Sequence, residues 1–433
     1  MYICGMLVMK FGGASVKNAE AVRNAGKIIE QFLAHTEAMV VVISAMDKTT
    51  NHLEKLAFLA RDGREDEAFA QFEKVRNFHL GMAEELFGDK KAAVIVKLEA
   101  YLGEIEKVIR GILLLGEFSD RIYDRIVSYG ELLSTTLVAN FLKTEGLPLD
   151  WLDARKVIRT DSTYKSAKVV WSLTREQIVD EVLPQFNGVK VLVTQGFIAS
   201  NLEGKVTTLG REGSDYTASI FAHCLDAQRL IVWKDVPGIL NGDPRIETNT
   251  RKLDSLSFEE AVEMTFYGAT VIHPKTIKPL FTKNIPLEVK CFLDTSLSGT
   301  RISKAEAQEE REMITSRVVK KDQVLLKIRP RDFSFMDQAL LDRIFNHIAK
   351  AGLMVNLVQT SAISLLLCVN NQRDAVENFQ SLLIDKFFVE ERQGLRLRTF
   401  INYGPESWKE AANAVLVQQA ENKLYVVQES PKV

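Results

Sequence analysis

Hydrophobic positions along this chain follow two rhythms. Continuous apolar runs recur at Leu7-Val8-Met9, Ala38-Met39-Val40-Val41-Val42-Ile43, Val191-Leu192-Val193 and Leu230-Ile231-Val232-Trp233. Short β-branched runs of this kind predict strands buried on both faces of a parallel sheet. Between them apolar residues return every three or four positions. Asn18 to about Leu33 places Ala21, Val22, Ala25, Ile28, Ile29 and Phe32 on one face behind an Asn18 cap, which predicts a helix. From about Leu53 to Leu115 the text is helical and charged, an insertion without evident chemistry. Asp120 to Phe141 reads as one helix, and Ser257 to Gly268 as another, with Glu260 at the capping-box position. Strands alternating with helices through 1–300 predict an α/β fold, with a mostly parallel sheet between helical layers.

Beyond a polar stretch from about 296 to 313 the pattern becomes βαββαβ. Strands are predicted at 323–328, 354–360, 362–369 and 395–403, with helices at 337–351 and 373–386. That order is ferredoxin-like. A final helix (about 406–422) and strand (424–428) complete the reading.

At 433 residues, two or three domains are expected. A net charge of −2 provides no basic field for nucleic acid. The four cysteines are scattered, without metal-ligand spacing or a disulfide framework, which fits a reduced, cytoplasmic chain. No signal peptide is expected, and no apolar run is long enough to span a membrane.

Candidate chemistry concentrates at strand ends. Lys10-Phe11-Gly12-Gly13-Ala14-Ser15-Val16 joins a strand to a lysine, two glycines and a small polar residue. Glycines permit close backbone approach, and a helix N-terminus just beyond them suits phosphate. An ordinary strand-to-helix turn fits this stretch equally well. In Gly130-Glu131-Leu132-Leu133-Ser134 a mid-helix glycine implies close approach. Glu131 alone reads more simply as a solvated-face residue. Leu209 to Tyr216 sets Arg211, Ser214 and Asp215 on a glycine loop before a helix. Asp235-Val236-Pro237-Gly238-Ile239 and Asp243-Pro244-Arg245 are turns, and His273 before Pro274 reads as structural.

As an ordered set these segments resemble the aspartate kinase family. With Ser44 to Asn51, Thr194-Gln195-Gly196-Phe197-Ile198 and Phe266 to Lys275, they follow the family's order across residues 6–300. Each is weak alone; the ordered set is specific. The resemblance implies an amino-acid kinase domain over 1–300, with an aspartate lobe at about 1–205 and an ATP lobe at about 206–300. A linker at 301–316 would lead to an ACT regulatory region at 317–433 whose second unit is reduced. The implied reaction moves the γ-phosphoryl of ATP, with Mg2+, to the side-chain carboxylate of L-aspartate, giving 4-phospho-L-aspartate at the entry to lysine, threonine and methionine biosynthesis. Lys10 and Asp215 would be catalytic. Gly12, Gly13, Lys234, Asp235, Leu240, Arg245, Thr270 and Val271 would join Lys10 around the nucleotide. Thr50, Glu131, Arg211, Gly213 and Ser214 would hold aspartate.

The resemblance also implies a homodimer through the ACT region, and an effector site at Met354, Val355, Asn356, Thr360 and Ser361. Four positions depart from the family pattern: Ala14 for threonine, Glu212 for glycine, Lys234 for threonine and Thr270 for lysine. Lys234 and Thr270 read as a compensated exchange of charge. In the effector region Asn356 and Ala362 stand where carboxylates are usual. A catalytically inactive amino-acid sensor and another amino-acid kinase are the alternatives. No dinucleotide fingerprint follows the small domain, so a monofunctional enzyme is expected.

Overall fold

Strand β1 (Met6–Phe11) is buried along its whole length, Lys10 included. The computed structural model describes residues 5–247, 249–269, 272–304 and 314–430. After β1 come α1 (Ala19–Leu33), capped by the Asn18 side chain on Ala21 N, and β2 (Ala38–Ile43). The helical insertion follows as α2 (Thr49–Arg61), α3 (Glu65–Phe87) and α4 (Ala92–Leu115), then the long α5 (Asp120–Thr144). The chain continues through β3 (Leu149–Leu152), α6 (Ala154–Val157), β4 (Arg159–Thr160), α7 (Trp171–Val182), β5 (Val191–Gln195), β6 (Ile198–Asn201) and β7 (Val206–Thr208). Next are α8 (Gly213–Cys224), β8 (Arg229–Lys234), β9 (Ser255–Ser257), α9 (Phe258–Phe266), α10 (Pro274–Lys283), β10 (Leu287–Cys291) and β11 (Thr300–Ser303).

Among the described residues the main sheet has eight strands in the order β3-β5-β2-β1-β8-β10-β11-β9. All its pairings are parallel except β10 with β11. Phe11 pairs with both Ile43 and Trp233, and Ile43 with Gln195. The carboxyl ends of β5, β2, β1 and β8 are therefore level. Loops leaving that edge together form the crevice in which open α/β sheets bind ligands.

Sequence reading and structure part company in places. The helix expected directly after Gly12-Gly13 is only a 3-10 turn, Gly13–Val16, because Asn18 caps α1 further on. The polar stretch assigned to the linker begins with β11, whose Ile302 pairs with both Leu287 and Leu256 in the main sheet.

The remaining elements are β12 (Ser316–Pro330), α11 (Gln338–Ala351), β13 (Val355–Thr360), β14 (Leu365–Asn370), α12 (Arg373–Leu383), β15 (Phe387–Ile401), α13 (Pro405–Lys409), β16 (Leu416–Ala420) and β17 (Lys423–Glu429). They form one antiparallel six-stranded sheet, ordered β13-β14-β12-β15-β17-β16. Its core packs Val324, Leu326 and Ile328 against Ile344, Phe379 and Leu383 from α11 and α12. The expected helix over 406–422 ends after five residues. Leu416 and Val417 instead pair with Val427 and Val426, a sheet contact that overrides the local Ala-rich helix preference.

The chain divides into two units: Met1–Ile239, Lys252–Val262 and Val271–Glu309 in one, Leu240–Arg251, Glu263–Thr270 and Glu310–Val433 in the other.

Candidate active site

The crevice at the carboxyl ends of the first unit's strands is a cleft of about 710 Å³. Lys10 lies at the end of β1 and is 8% exposed, so its ammonium needs an anionic partner. It has one: Lys10 Nζ is 2.6 Å from Asp215 Oδ1 in the first turn of α8. Lys234, ending β8, brings its Nζ to 3.4 Å from Asp215 Oδ2. Burial alone would raise the Asp215 carboxyl, but Lys10 and then Lys234 outweigh it and hold the group ionised below its ordinary range. The N-terminus of α8 faces the cleft, with Gly213, Ser214 and Asp215 all lining it, and the first turn of α2 reaches it through Thr50 and Asn51. Their unpaired N–H groups and dipoles favour anions there.

Gly13 explains the tight turn after β1. A Cβ on it would sit 2.8 Å from the Ala45 and Asp47 carbonyl oxygens, both backbone, so no side chain fits. The opposite wall is α5. Gly130 lets that helix pass against Ala45, whose Cβ is 3.0 Å from where a side chain would begin. Ser134 Oγ donates to Ser44 O at 2.7 Å, pinning the loop after β2 to α5.

Glu131 is buried, not solvated. Its Oε1 accepts from Ala45 N at 3.3 Å, while Oε2 is buried without a hydrogen-bond partner. Burial pushes its carboxyl up to about 8, against weaker pulls from the Ala45 N–H and Lys10. A protonated, half-satisfied carboxyl beside a cleft is a site awaiting a cation. Arg211 lines the same cleft, exposed, and its guanidinium has no hydrogen bond or ion pair among the described residues. It is free to clamp a carboxylate with two parallel bonds. Thr50 also lines the cleft.

The other predicted residues fall elsewhere. Gly12 precedes the 3-10 turn, 3.3 Å from Lys10 Nζ at its would-be Cβ. Asp235 is exposed after β8 and is not among the cleft's lining residues. Leu240 and Arg245 belong to the second unit, where Arg245 forms a two-bond pair with Asp243. Thr270 and Val271 lie outside the described residues. His273 caps α10, its Nδ1 accepting from Lys275 N at 3.1 Å.

One functional residue escaped the sequence reading. Asp124 is fully buried and accepts from Lys165 N, Thr208 N and Thr208 Oγ1, so it holds two cleft-lining residues in place. Its signal was its spacing: seven residues before Glu131, it shares that residue's face of α5.

In the second unit, Asn356 is also tied up. Its Oδ1 accepts from Lys320 Nζ at 2.7 Å, and its Nδ2 donates to Gln323 Oε1 at 2.6 Å and Asn370 Oδ1 at 2.8 Å. Thr360 ends β13 and Ser361 follows it, both on the surface, and Met354 is half exposed just before Val355 opens the strand.

The family model of the amino acid kinase family matches residues 5–291. Lysine-sensitive aspartokinase 3 of Escherichia coli (strain K12) is 32% identical over 370 residues, covering 84% of this chain and 78% of that protein. The chain belongs to the aspartokinases. Chloroplastic aspartokinase 1 of Arabidopsis thaliana is 31% identical across 84% of this aspartokinase and 63% of its own length. The bifunctional aspartokinase/homoserine dehydrogenase 1 of Zea mays is matched over only 32% of its length. Among solved structures, E. coli aspartokinase III with aspartate and ADP (R-state) superposes with a TM-score of 0.82 at 29% identity, over 98% of this chain and 96% of that one. The same enzyme with lysine and aspartate (T-state) gives 0.78 over the same shares. The eight-stranded α/β unit and the antiparallel unit thus make up an amino-acid kinase fold with an ACT-type region.

Proposed function

We propose that the cleft at the ends of β1, β2, β5 and β8 binds L-aspartate and ATP and transfers the γ-phosphoryl to the substrate's side-chain carboxylate. The observation that carries this reading is the meeting of Lys10 and Asp215, 2.6 Å apart, in one cleft with the half-satisfied Glu131 and the unpaired Arg211. Glu131 takes the α-ammonium and Arg211 a substrate carboxylate, with Thr50 and Ser214 as hydroxyl partners. The attacking oxygen is already ionised at neutral pH, so no general base is needed. A new O–P bond forms as the bond to the β-phosphate oxygen breaks, and ADP leaves with that electron pair. The protein's task is to suppress repulsion between anions and align them. Lys10, oriented by Asp215, meets charge on the transferring group, aided by the α8 terminus and the Gly12 and Gly13 backbone.

Magnesium belongs to this reading as ATP's counter-ion. Magnesium usually keeps several waters and binds largely through substrate phosphates, which is the role proposed for it here. The antiparallel unit serves dimerisation through its exposed edge strand β13, and the compartment is the cytoplasm. Hydroxylamine trapping of the acyl phosphate, with aspartate, glutamate and N-acetylglutamate side by side, tests the assignment. Turnover confined to aspartate supports it; turnover of another acceptor, or none, overturns it.

A further inference from the structure

A second pocket, of about 450 Å³, lies in the first unit where the end of α4, the start of α5 and β7 meet, and it shares no lining residue with the cleft. Val108, Ile112, Ile122 and Val206 give it apolar walls, together with Leu115, which is 70% exposed. Gly111, inside α4, leaves room: a Cβ there would meet no atom within 4 Å. Four cations and two carboxylates line the pocket, a net charge of +2 in a chain whose total is −2. Glu104 is shared by Lys107 and Arg125, each at 3.0 Å. Arg121, Lys205 and Glu117 have no ion pair among the described residues, so a cation remains over even when Glu117 is set against one of them. Sites for small molecules have this character, with roughly 300–1,000 Å³ of mostly apolar space and a few placed charges. A second copy of the chain fits poorly, because a two-fold contact presses a surface against itself and here would oppose like charges.

We propose that this pocket is a second ligand site, for an organic anion with an apolar body, and that its occupant tightens the aspartate cleft. Arg121, Ile122 and Arg125 share a turn of α5 with Asp124, and Val206 stands two residues before Thr208. Asp124 accepts from Thr208 N and Thr208 Oγ1, both at 2.9 Å, across the same α5–β7 joint that an occupant of the pocket spans. It also holds the Lys165 N–H, and both Thr208 and Lys165 line the cleft. A ligand bound across the joint resists its opening and so favours the arrangement that Asp124 maintains.

The coupling rests on the cleft being the aspartate site, which turnover without added ligand tests separately; the binding does not. Octanoate is the probe, titrated into the full chain by calorimetry, with octylamine as a cation of equal tail. Octanoate should bind about tenfold more tightly than octylamine, or better. Gly111→Leu enters open space and replaces a helix glycine, so it folds, as thermal melting checks, and fills the pocket. It should weaken octanoate about tenfold or more, and the Arg121→Ala, Lys205→Ala double variant about threefold or more. Octanoate should lower the KM for aspartate about twofold or more in the wild type and leave Gly111→Leu unmoved. No binding, equal binding of the two probes, or octanoate binding that neither variant weakens overturns the site. Binding that leaves the KM unchanged overturns the coupling. An oligomer that falls apart in Gly111→Leu would make the pocket a subunit contact and overturn the ligand assignment.

Discussion

Glu131 couples substrate binding to a proton. The interval from the ordinary 4.5 to about 8 is worth roughly 5 kcal/mol, at about 1.36 kcal/mol per pH unit. Between those two values the unfolded carboxyl is ionised while the folded one keeps its proton. Stability of the ligand-free protein is therefore full below pH 4.5 and declines as pH rises towards 8. At pH 7 the empty site holds about 0.9 of a proton on Glu131. The α-ammonium of aspartate supplies the cation that the buried Oε2 lacks, so binding expels that proton. Titration calorimetry at pH 7 in buffers of differing ionisation enthalpy counts it: about 0.9 released per site in the wild type and none in Glu131→Gln. The variant also binds aspartate at least about tenfold more weakly, since it loses a charge-assisted bond, and is the more stable of the two without ligand at pH 8. A wild-type enthalpy independent of buffer, or the same release in the variant, refutes the reasoning.

Lys10→Ala is expected to lower kcat by about 100- to 1,000-fold; near-full turnover removes Lys10 from the chemistry. Lysine is expected to inhibit weakly or not at all. Asn356 carries no charge to meet a ligand's ammonium, and its amide is already bonded to Lys320, Gln323 and Asn370. Titrating turnover with lysine, threonine and methionine checks this, and sub-millimolar inhibition by lysine contradicts it. His79 is fully buried, held down to about 4 by burial against its bond to Val75 O. It therefore costs no stability above pH 6.5 and progressively more as pH falls towards 4. Between pH 7 and pH 5 the wild type should lose roughly 2 kcal/mol that His79→Leu does not lose, measured by urea unfolding.

Where local signals acted alone, the sequence was easily read. The bounds of β2 and the Asn18 cap followed from an unbroken apolar run and a capping residue. Lys10 and Asp215 were nameable only from the ordered set of motifs and the family it resembles; their own positions, at a strand end and on a glycine loop, fit an ordinary turn equally well. Burial was harder. Nothing local to Glu131 separates a solvated carboxylate from one sealed beneath the loop after β2; that depends on Ser134 gripping Ser44 from 90 residues away. Charged letters also misled. Lys320, Lys321 and Asp322 hid the first half of β12, because that half takes its stability from pairing with β15 rather than from its own pattern. Residues 416–420 became a strand for the same reason.

The β12–β15 ladder also constrains the order in which this region assembles. Ser316 pairs with Ile401 and Pro330 with Phe387, so the two strands span both halves of the six-stranded sheet, with the register shifting between Lys320 and Leu325. A chain emerging from the ribosome can form α11 early and can zip β13 onto β14, which are close in sequence. It cannot cover the second edge of β12 until β15 has been made, about 70 residues later. Ser316 waits longest, because its partner Ile401 comes last. During that interval β12 is a bare template for any passing strand, the usual starting point for misassembly. The lysines and aspartate at Lys320-Lys321-Asp322 lie midway along it, where the register shifts and Asp322 adopts φ 54°. A charged kink of that kind spoils the flat edge a second nascent chain would need.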